Sequence, residues 1–73
     1  MQQYQESWAI EVIDECGEVT YVYDINDLAL TDEIEDAFCY DYETHALNDM
    51  VSSDLRQAYP KCKLRVVNLT LFN

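Results

Sequence analysis

The sequence predicts a small α+β domain with the element order β-β-α-α-β, in which a three-stranded, mainly antiparallel sheet packs on two short helices. Three observations lead to this prediction. The chain has 73 residues, enough for one domain over residues 1–73. Its hydrophobic content of 49% is typical of a folded protein. Segments with period-two alternation flank segments with helical spacing, and the single Gly and single Pro indicate short connections.

The first two strands are predicted to form a hairpin. Residues 1–7 are polar and are expected to fray. Residues 8–14 alternate with period two, and residues 19–23 are β-branched and aromatic, so both segments favour strands. Gly17 lies between them, where a tight turn needs a residue that accepts a positive φ. Because residues 19–23 carry apolar groups on both faces, this strand is expected in the middle of the sheet.

The first helix is expected after a turn at residues 24–27, which are rich in side chains that bond their own backbone. Thr31 is the predicted N-cap, and the acidic residues that follow it favour the helix dipole. Residues 39–43 are expected to break or bend this helix. Its inward stripe is predicted to consist of Ile34, Ala37 and Phe38.

The second helix is predicted from Thr44 to a C-terminal end at Pro60, since proline removes a backbone donor and clashes with the preceding turn. Residues 61–72 are predicted to form the last strand. Their apolar phase shifts in the middle, so a bulge or a sharp bend is expected near Val66 and Val67. Pairing of this strand with the first or the second is left open. The predicted buried face of the second helix comprises Leu47, Met50, Val51, Leu55, Ala58 and Tyr59.

Charge is the most unusual property of the sequence, with 15 acidic and 4 basic residues and a net charge of −11. All the acids lie between Glu6 and Asp54, and eight of them fall within residues 24–43. Such a field repels nucleic acid and anionic membranes and attracts cationic surfaces. A basic protein is therefore the expected partner, with no direct binding of nucleic acid or membrane. The four bases, all nearer the C-terminus, are Arg56, Lys61, Lys63 and Arg65.

Catalytic residues, cofactors and metal ligands are not predicted. So many carboxylates are present that no single pair is specific enough to indicate acid–base catalysis. A nucleophilic Cys39 beside His45 would need an electropositive setting, whereas its surroundings are acidic. An EF-hand starting at Asp24 would place Leu28 and Ala29 at loop positions where a ligand and a glycine are required. The candidate zinc ligands lack the close spacing of zinc sites: Cys16, Cys39, His45 and Cys62.

The cysteines and the apolar runs predict a cytoplasmic protein. Three cysteines without a signal peptide indicate reduced thiols. The apolar runs are shorter than a membrane span. The sequon that begins at Asn68 is expected to be a coincidence within a strand.

The acidic run supplies the candidate binding site. Tyr40 and Tyr42 alternate with carboxylates and are predicted to anchor a contact. After the carboxylates with local turn and dipole roles are set aside, the prediction narrows to Glu35, Asp36 and residues 40–43. The full predicted partner-binding set is Asp32, Glu33, Glu35, Asp36, Tyr40, Asp41, Tyr42 and Glu43.

In size, charge, hairpin-plus-helix layout and density of carboxylates, the chain resembles small acidic inhibitors and DNA mimics encoded by phages and mobile elements. These include uracil-DNA glycosylase inhibitors, anti-restriction proteins and some anti-CRISPR proteins. DNA phosphates repeat at about 3.4 Å along each strand, a density that helical carboxylates can approach. The resemblance implies a stoichiometric, non-enzymatic inhibitor of a nucleic-acid-handling protein, such as a host defence or repair factor, acting in the host cytoplasm if phage-encoded.

Other classes of function are also compatible with the sequence. A structural or assembly module, either a homodimer or a subunit of a larger complex, would bring the basic C-terminal strand of one copy to the acidic helix of another. The acidic run is also compatible with a solvated face that has no partner. A small enzyme would require a deep pocket holding a carboxylate with a raised pKa.

Overall fold

The computed structural model describes residues 6–69 and shows an α+β fold. Within that range, four antiparallel strands form one sheet in the order β3-β2-β1-β4, together with two short helices and one 3-10 turn. The α+β class is confirmed, whereas the predicted sheet lacks one of the observed strands. The elements are β1 (Trp8–Ile13), β2 (Val19–Asp24), β3 (Ala29–Thr31), the 3-10 turn (Ile34–Asp36), α1 (Glu43–Ser52), α2 (Leu55–Ala58) and β4 (Lys63–Asn68).

The β1–β2 hairpin follows the prediction. Gly17 has a φ of +86°, in the left-handed region that glycine adopts without steric conflict. The Asp14 carboxylate closes the turn, because its Oδ1 accepts hydrogen bonds from the backbone N–H groups of Cys16 and Glu18, both at 2.9 Å. β2 lies between β1 and β3, which confirms its expected central position.

β3 is the strand that the prediction missed. The turn at residues 24–27 forms as expected, with Asp24 Oδ1 accepting from the N–H groups of Asn26 at 2.9 Å and Asp27 at 3.3 Å. Leu28 then adopts a φ of +57° and the Tyr59 hydroxyl donates to its carbonyl at 2.8 Å. This reversal returns the chain alongside β2, so Ala29–Thr31 pairs with the sheet and does not lead into a helix.

The predicted first helix is reduced to the 3-10 turn. Thr31 belongs to β3, and its Oγ1 accepts from the N–H of Glu33 at 3.1 Å without capping an α-helix. A helix cannot continue because Phe38 N–H donates to the carbonyl of Val22 at 2.9 Å, which draws the following backbone onto the sheet. Of the predicted inward stripe, Ala37 is buried, Ile34 is half-buried and Phe38 is exposed.

The predicted second helix is broken in two at Ser53 and Asp54. Ser53 has an extended backbone, and its Oγ accepts from the N–H of Leu55 at 3.3 Å at the start of α2. The break places Leu55 fully in the core, and α2 ends just before Tyr59 and Pro60, close to the predicted end. The predicted buried face was wrong in part: Leu47, Val51 and Ala58 are exposed, while the unpredicted Ala46 is fully buried.

β4 pairs with β1 at the edge of the sheet, which answers the open question of its partner. The register runs without a shift from Trp8↔Asn68 to Ile13↔Lys63, so the predicted bulge is absent from the described strand. A bulge is unnecessary because both sheet faces carry apolar cover, and Val66 and Val67 are half-buried on opposite faces. The predicted strand positions beyond residue 69 lie outside the described residues.

Two apolar clusters hold the layers together, one on each face of the sheet. The larger lies under the helices and has Ile10, Val12, Val22, Tyr40, Ala46 and Leu55 as its buried residues. The smaller lies on the other face, where Ile34 packs on the buried residues Ala9, Ala37 and Leu69. Within the described range, no helix is long and apolar enough to cross a bilayer.

Candidate partner-binding surface

The acidic segment, defined here as residues 32–43, connects β3 to α1 and is bonded to the sheet by its backbone. β1 and β2 pair directly only where residues 11–13 meet residues 19–21. Beyond that point, Phe38 bonds to the Val22 carbonyl, and Tyr40 exchanges two backbone hydrogen bonds with Trp8, at 2.8 and 2.9 Å. The segment therefore fills the space between the diverging strands, and these bonds fix its backbone at Phe38 and Tyr40.

All six carboxylates of the acidic segment are exposed. Among residues 6–69, the only ion pair joins Glu11 to Arg65, so none of the six has a charged partner in the described fold. Hydrogen bonds to their side chains are likewise absent within that range. The segment itself contains no Lys or Arg, so none of its negative charge is compensated from within. The six are Asp32, Glu33, Glu35, Asp36, Asp41 and Glu43.

Tyr40 does not belong to this exposed set, although it was predicted to anchor a partner. Its side chain is buried, with 7% of the residue exposed, and packs in the larger core cluster. Its hydroxyl donates to Asp49 Oδ2 at 2.8 Å. Burial, followed by the hydrogen bond and the charge of Asp49, raises the pKa of Tyr40 well above its usual value. Tyr40 thus joins the acidic segment to α1.

The exposed aromatic rings of the segment are Phe38 and Tyr42, at 44% and 63% exposure. The Phe38 and Tyr40 rings pack edge to face with centroids 4.9 Å apart, and Tyr42 and His45 do the same at 5.2 Å. Tyr42 is exposed, as its predicted role requires. Phe38 is exposed too, although the sequence predicts it as a core residue. Residues 38, 40 and 42 would share one face of a regular strand, so the sequence pattern gave no signal that Tyr40 alone would be buried.

The carboxylates with structural contacts lie outside the acidic segment. Asp14 and Asp24 accept backbone N–H groups in turns, and Asp49 accepts the Tyr40 hydroxyl. Glu11 lies in β1 with only 4% of the residue exposed. Among contacts between residues 6–69, these four acids contribute hydrogen bonds or an ion pair to the fold.

The Glu11–Arg65 pair forms part of a row of side chains across the sheet face that carries the smaller apolar cluster. Register places Tyr21 on one side of Glu11 and Arg65 on the other. Arg65 Nη2 lies 2.7 Å from Glu11 Oε1, which has no aligned hydrogen-bond partner within the described range. Burial and the charge of Glu11 raise the pKa of Tyr21, while Arg65 acts in the opposite direction. Sequence reading did not identify this pair, because period-two alternation gives no reason to bury a glutamate.

The candidate metal and nucleophile residues are not brought together. Within residues 6–69, no group of three or more His, Cys, Asp or Glu side chains is placed to hold a metal ion. Cys39 and His45 are both exposed, and Cys39 Sγ donates to the Ala37 carbonyl at 3.4 Å.

A shallow depression of about 390 Å³ lies between the β2–β3 turn and the junction of the two helices. Its walls carry carboxylates, hydroxyls and an amide together with two aliphatic side chains. Neither Cys39 nor His45 contributes to it. The lining residues are Ile25, Asn26, Leu28, Asp49, Ser52, Ser53 and Asp54.

Comparisons with protein-family models, curated proteins and solved structures found no significant match to this chain. A function is therefore inferred from the geometry of the described residues.

Proposed function

We propose that the chain is a non-enzymatic acidic inhibitor, similar in kind to a DNA mimic, that binds and blocks a basic surface of a nucleic-acid-handling protein such as a host defence or repair factor. The observation that supports this proposal is the set of six exposed carboxylates on the acidic segment, which have no charged partner among residues 6–69. Lys and Arg side chains that normally bind DNA phosphates have the complementary charge and hydrogen-bonding groups.

The backbone bonds of the acidic segment support the same proposal. Hydrogen bonds from Phe38 and Tyr40 to two different strands hold the segment's backbone in place before any partner arrives. A surface that is already ordered loses less conformational entropy on binding than a flexible acidic tail would. The segment's charge also speeds encounter with a cationic surface, in a manner that salt weakens.

An assembly module is the second candidate function, and the position of β4 favours it. β4 lies at the edge of the sheet and carries exposed Lys63 and Arg65, opposite in sign to the acidic segment. The basic edge of one copy can therefore contact the acidic segment of another. Lysine and arginine on an edge strand also discourage direct pairing of two such edges. Sedimentation separates the two functions, because a dimer that dissociates only when the acidic segment is neutralised would support assembly.

The test of inhibition compares two variants of equal charge. The first neutralises Glu33, Glu35, Asp36 and Glu43 to the corresponding amides, and the second neutralises Glu6, Glu15, Glu18 and Asp27, which are exposed and outside the segment. Each is used to capture proteins from a host lysate, and a captured protein is then assayed for nucleic-acid binding with each variant added.

Loss of one close charge pair is expected to weaken binding about tenfold or more. We therefore expect the segment variant to lose capture and inhibition together, and the control variant to keep both. Equal behaviour of the two variants would contradict the proposal, since general acidity would then explain the interaction.

A further inference from the structure

One side of α1 exposes apolar side chains close to the acidic segment. Val51 is 72% exposed and Leu47 is 40% exposed, although helical spacing had predicted both as core residues. Residues four apart lie on the same side of a helix, so Glu43, Leu47 and Val51 form one line along α1. This line, here called the α1 strip, starts at the last residue of the acidic segment.

The fold explains why the α1 strip is left uncovered. α1 buries Ala46 and packs Met50 on the core, and the strip lies beside this buried side, where exposure rises from Leu47 to Val51. The extended backbone at Ser53 interrupts the helix and Leu55 lies in the core, so the strip ends with α1. Single exposed apolar residues are ordinary, but two in line on a helix beside unpaired carboxylates form a mixed apolar and acidic surface.

We infer that the α1 strip binds apolar side chains of an amphipathic basic helix on the partner, while the neighbouring carboxylates bind that helix's Lys or Arg residues. Charge complementarity favours this occupant: α1 and the acidic segment contain no Lys or Arg, the strip begins at Glu43, and Asp41 lies two residues before it. A second copy that docked strip to strip would bring the same carboxylates against each other. This inference rests on the proposed function and adds an apolar component to its binding surface.

The inference is tested with two synthetic helical peptides of equal length and equal lysine content. One carries leucine on its apolar face, and the other carries alanine at those positions. Binding is measured by calorimetry to the wild type, to a double variant with Leu47→Ala and Val51→Ala, and to the control Val19→Ala. Val19 is an exposed apolar residue on β2, away from α1.

The wild type and the control are expected to bind the leucine peptide about tenfold more tightly than the alanine peptide, a difference of about 1.4 kcal/mol. The double variant should bind both peptides equally, at the wild-type affinity for the alanine peptide. Its melting temperature should match the wild type, because both substituted residues are exposed. An unchanged leucine preference in the double variant would overturn the inference, as would equal binding of both peptides by the wild type.

Two further results separate this inference from the proposed function. If the wild type binds neither peptide at low salt, the electrostatic proposal fails as well. If sedimentation shows a wild-type dimer that the double variant abolishes, the strip is covered by a second copy and the partner helix is ruled out.

Discussion

The carboxylates of the hairpin and turns differ from those of the acidic segment in what they contact. Asp14 and Asp24 each accept two backbone N–H groups, and buried Glu11 faces Arg65. The six carboxylates between residues 32 and 43 have no such contacts among the described residues. The first group therefore contributes to the stability of the fold, while the second adds repulsion to it.

This difference divides the unusual charge of the chain into two parts. A carboxylate that bonds a turn is explained by folding, whatever the net charge. A carboxylate that contacts only solvent contributes nothing to folding that would explain its presence. Such carboxylates are concentrated in the acidic segment. Substitutions in the first group should therefore lower stability, and substitutions in the second should weaken partner binding. The expected losses of unfolding free energy run from about 2 kcal/mol to near zero.

The largest loss of stability is expected from Arg65→Ala. Removal of the guanidinium leaves the Glu11 carboxylate buried without a counter-charge. Because the Arg65 side chain is itself 65% exposed, water can partly replace it. We expect the free energy of unfolding in urea to fall by about 2 kcal/mol, below the range for a fully buried pair. Lys63→Ala, on the same strand but without an ion pair, should change it by less than about 0.5 kcal/mol.

A smaller loss is expected from Asp14→Ala. The substitution removes an acceptor for two backbone N–H groups, but these are exposed and can bond to water. The expected loss is about 1 kcal/mol, similar to loss of a helix cap. Glu15→Ala in the same turn serves as the control, since its side chain has no described bond. Equal losses in both variants would show that the Asp14 bonds contribute little.

Tyr40→Phe is expected to lower stability by about 1 kcal/mol at neutral pH, because it removes the hydroxyl donor to Asp49. The pKa of Tyr40 is raised in the folded state, so the folded protein holds this proton more tightly than the unfolded chain does. This contribution is complete below the usual tyrosine pKa of about 10 and is lost as pH rises above it.

The wild type should therefore lose stability above about pH 10 more steeply than Tyr40→Phe. Denaturation curves at several alkaline pH values measure this difference. Tyr42→Phe, which alters an exposed ring, should follow the wild type. Parallel pH profiles for the wild type and Tyr40→Phe would contradict the assigned role of the buried hydroxyl.

The smallest effect on stability is expected in the acidic segment itself. Neutralising Glu33, Glu35, Asp36 and Glu43 removes repulsion and no described bond, so unfolding free energy should stay within about 0.5 kcal/mol of the wild type or rise slightly. A loss above about 1 kcal/mol would show that these carboxylates stabilise the fold.

Much of the fold was predictable from local signals. Period-two alternation identified β1 and β2, Gly17 identified the hairpin, and Pro60 closely marked the end of the helical region. These features depend on the backbone preferences of single residues or on residues close in sequence, so a short sequence pattern is enough to predict them.

The errors arose where tertiary contacts overrode local preference. Thr31 and the following acids have the composition of a helix start, but pairing of Ala29–Thr31 and the bond from Phe38 to Val22 hold the backbone on the sheet. Helical spacing likewise marked Leu47 and Val51 as core, although the helix breaks at Ser53. Spacing shows which residues share a face but not which face meets the sheet.

The candidate site was predictable in its charges and less so in its aromatic rings. Exposure of the six carboxylates follows from their chemistry, since burial of unpaired charge is strongly unfavourable. Whether Phe38, Tyr40 or Tyr42 faced solvent depended on the extended path beside Trp8, which local sequence did not indicate.

Salt dependence of partner binding tests the central proposal most directly. Affinity for a captured basic partner should be measured for the wild type, the segment variant and the equal-charge control over a range of ionic strengths. We expect wild-type affinity to fall by about tenfold or more from low to high salt, the control to show a closely similar slope, and the segment variant to show a much shallower one. Equal slopes for all three, or a wild-type affinity that salt does not change, would contradict the proposal that the acidic segment binds the partner.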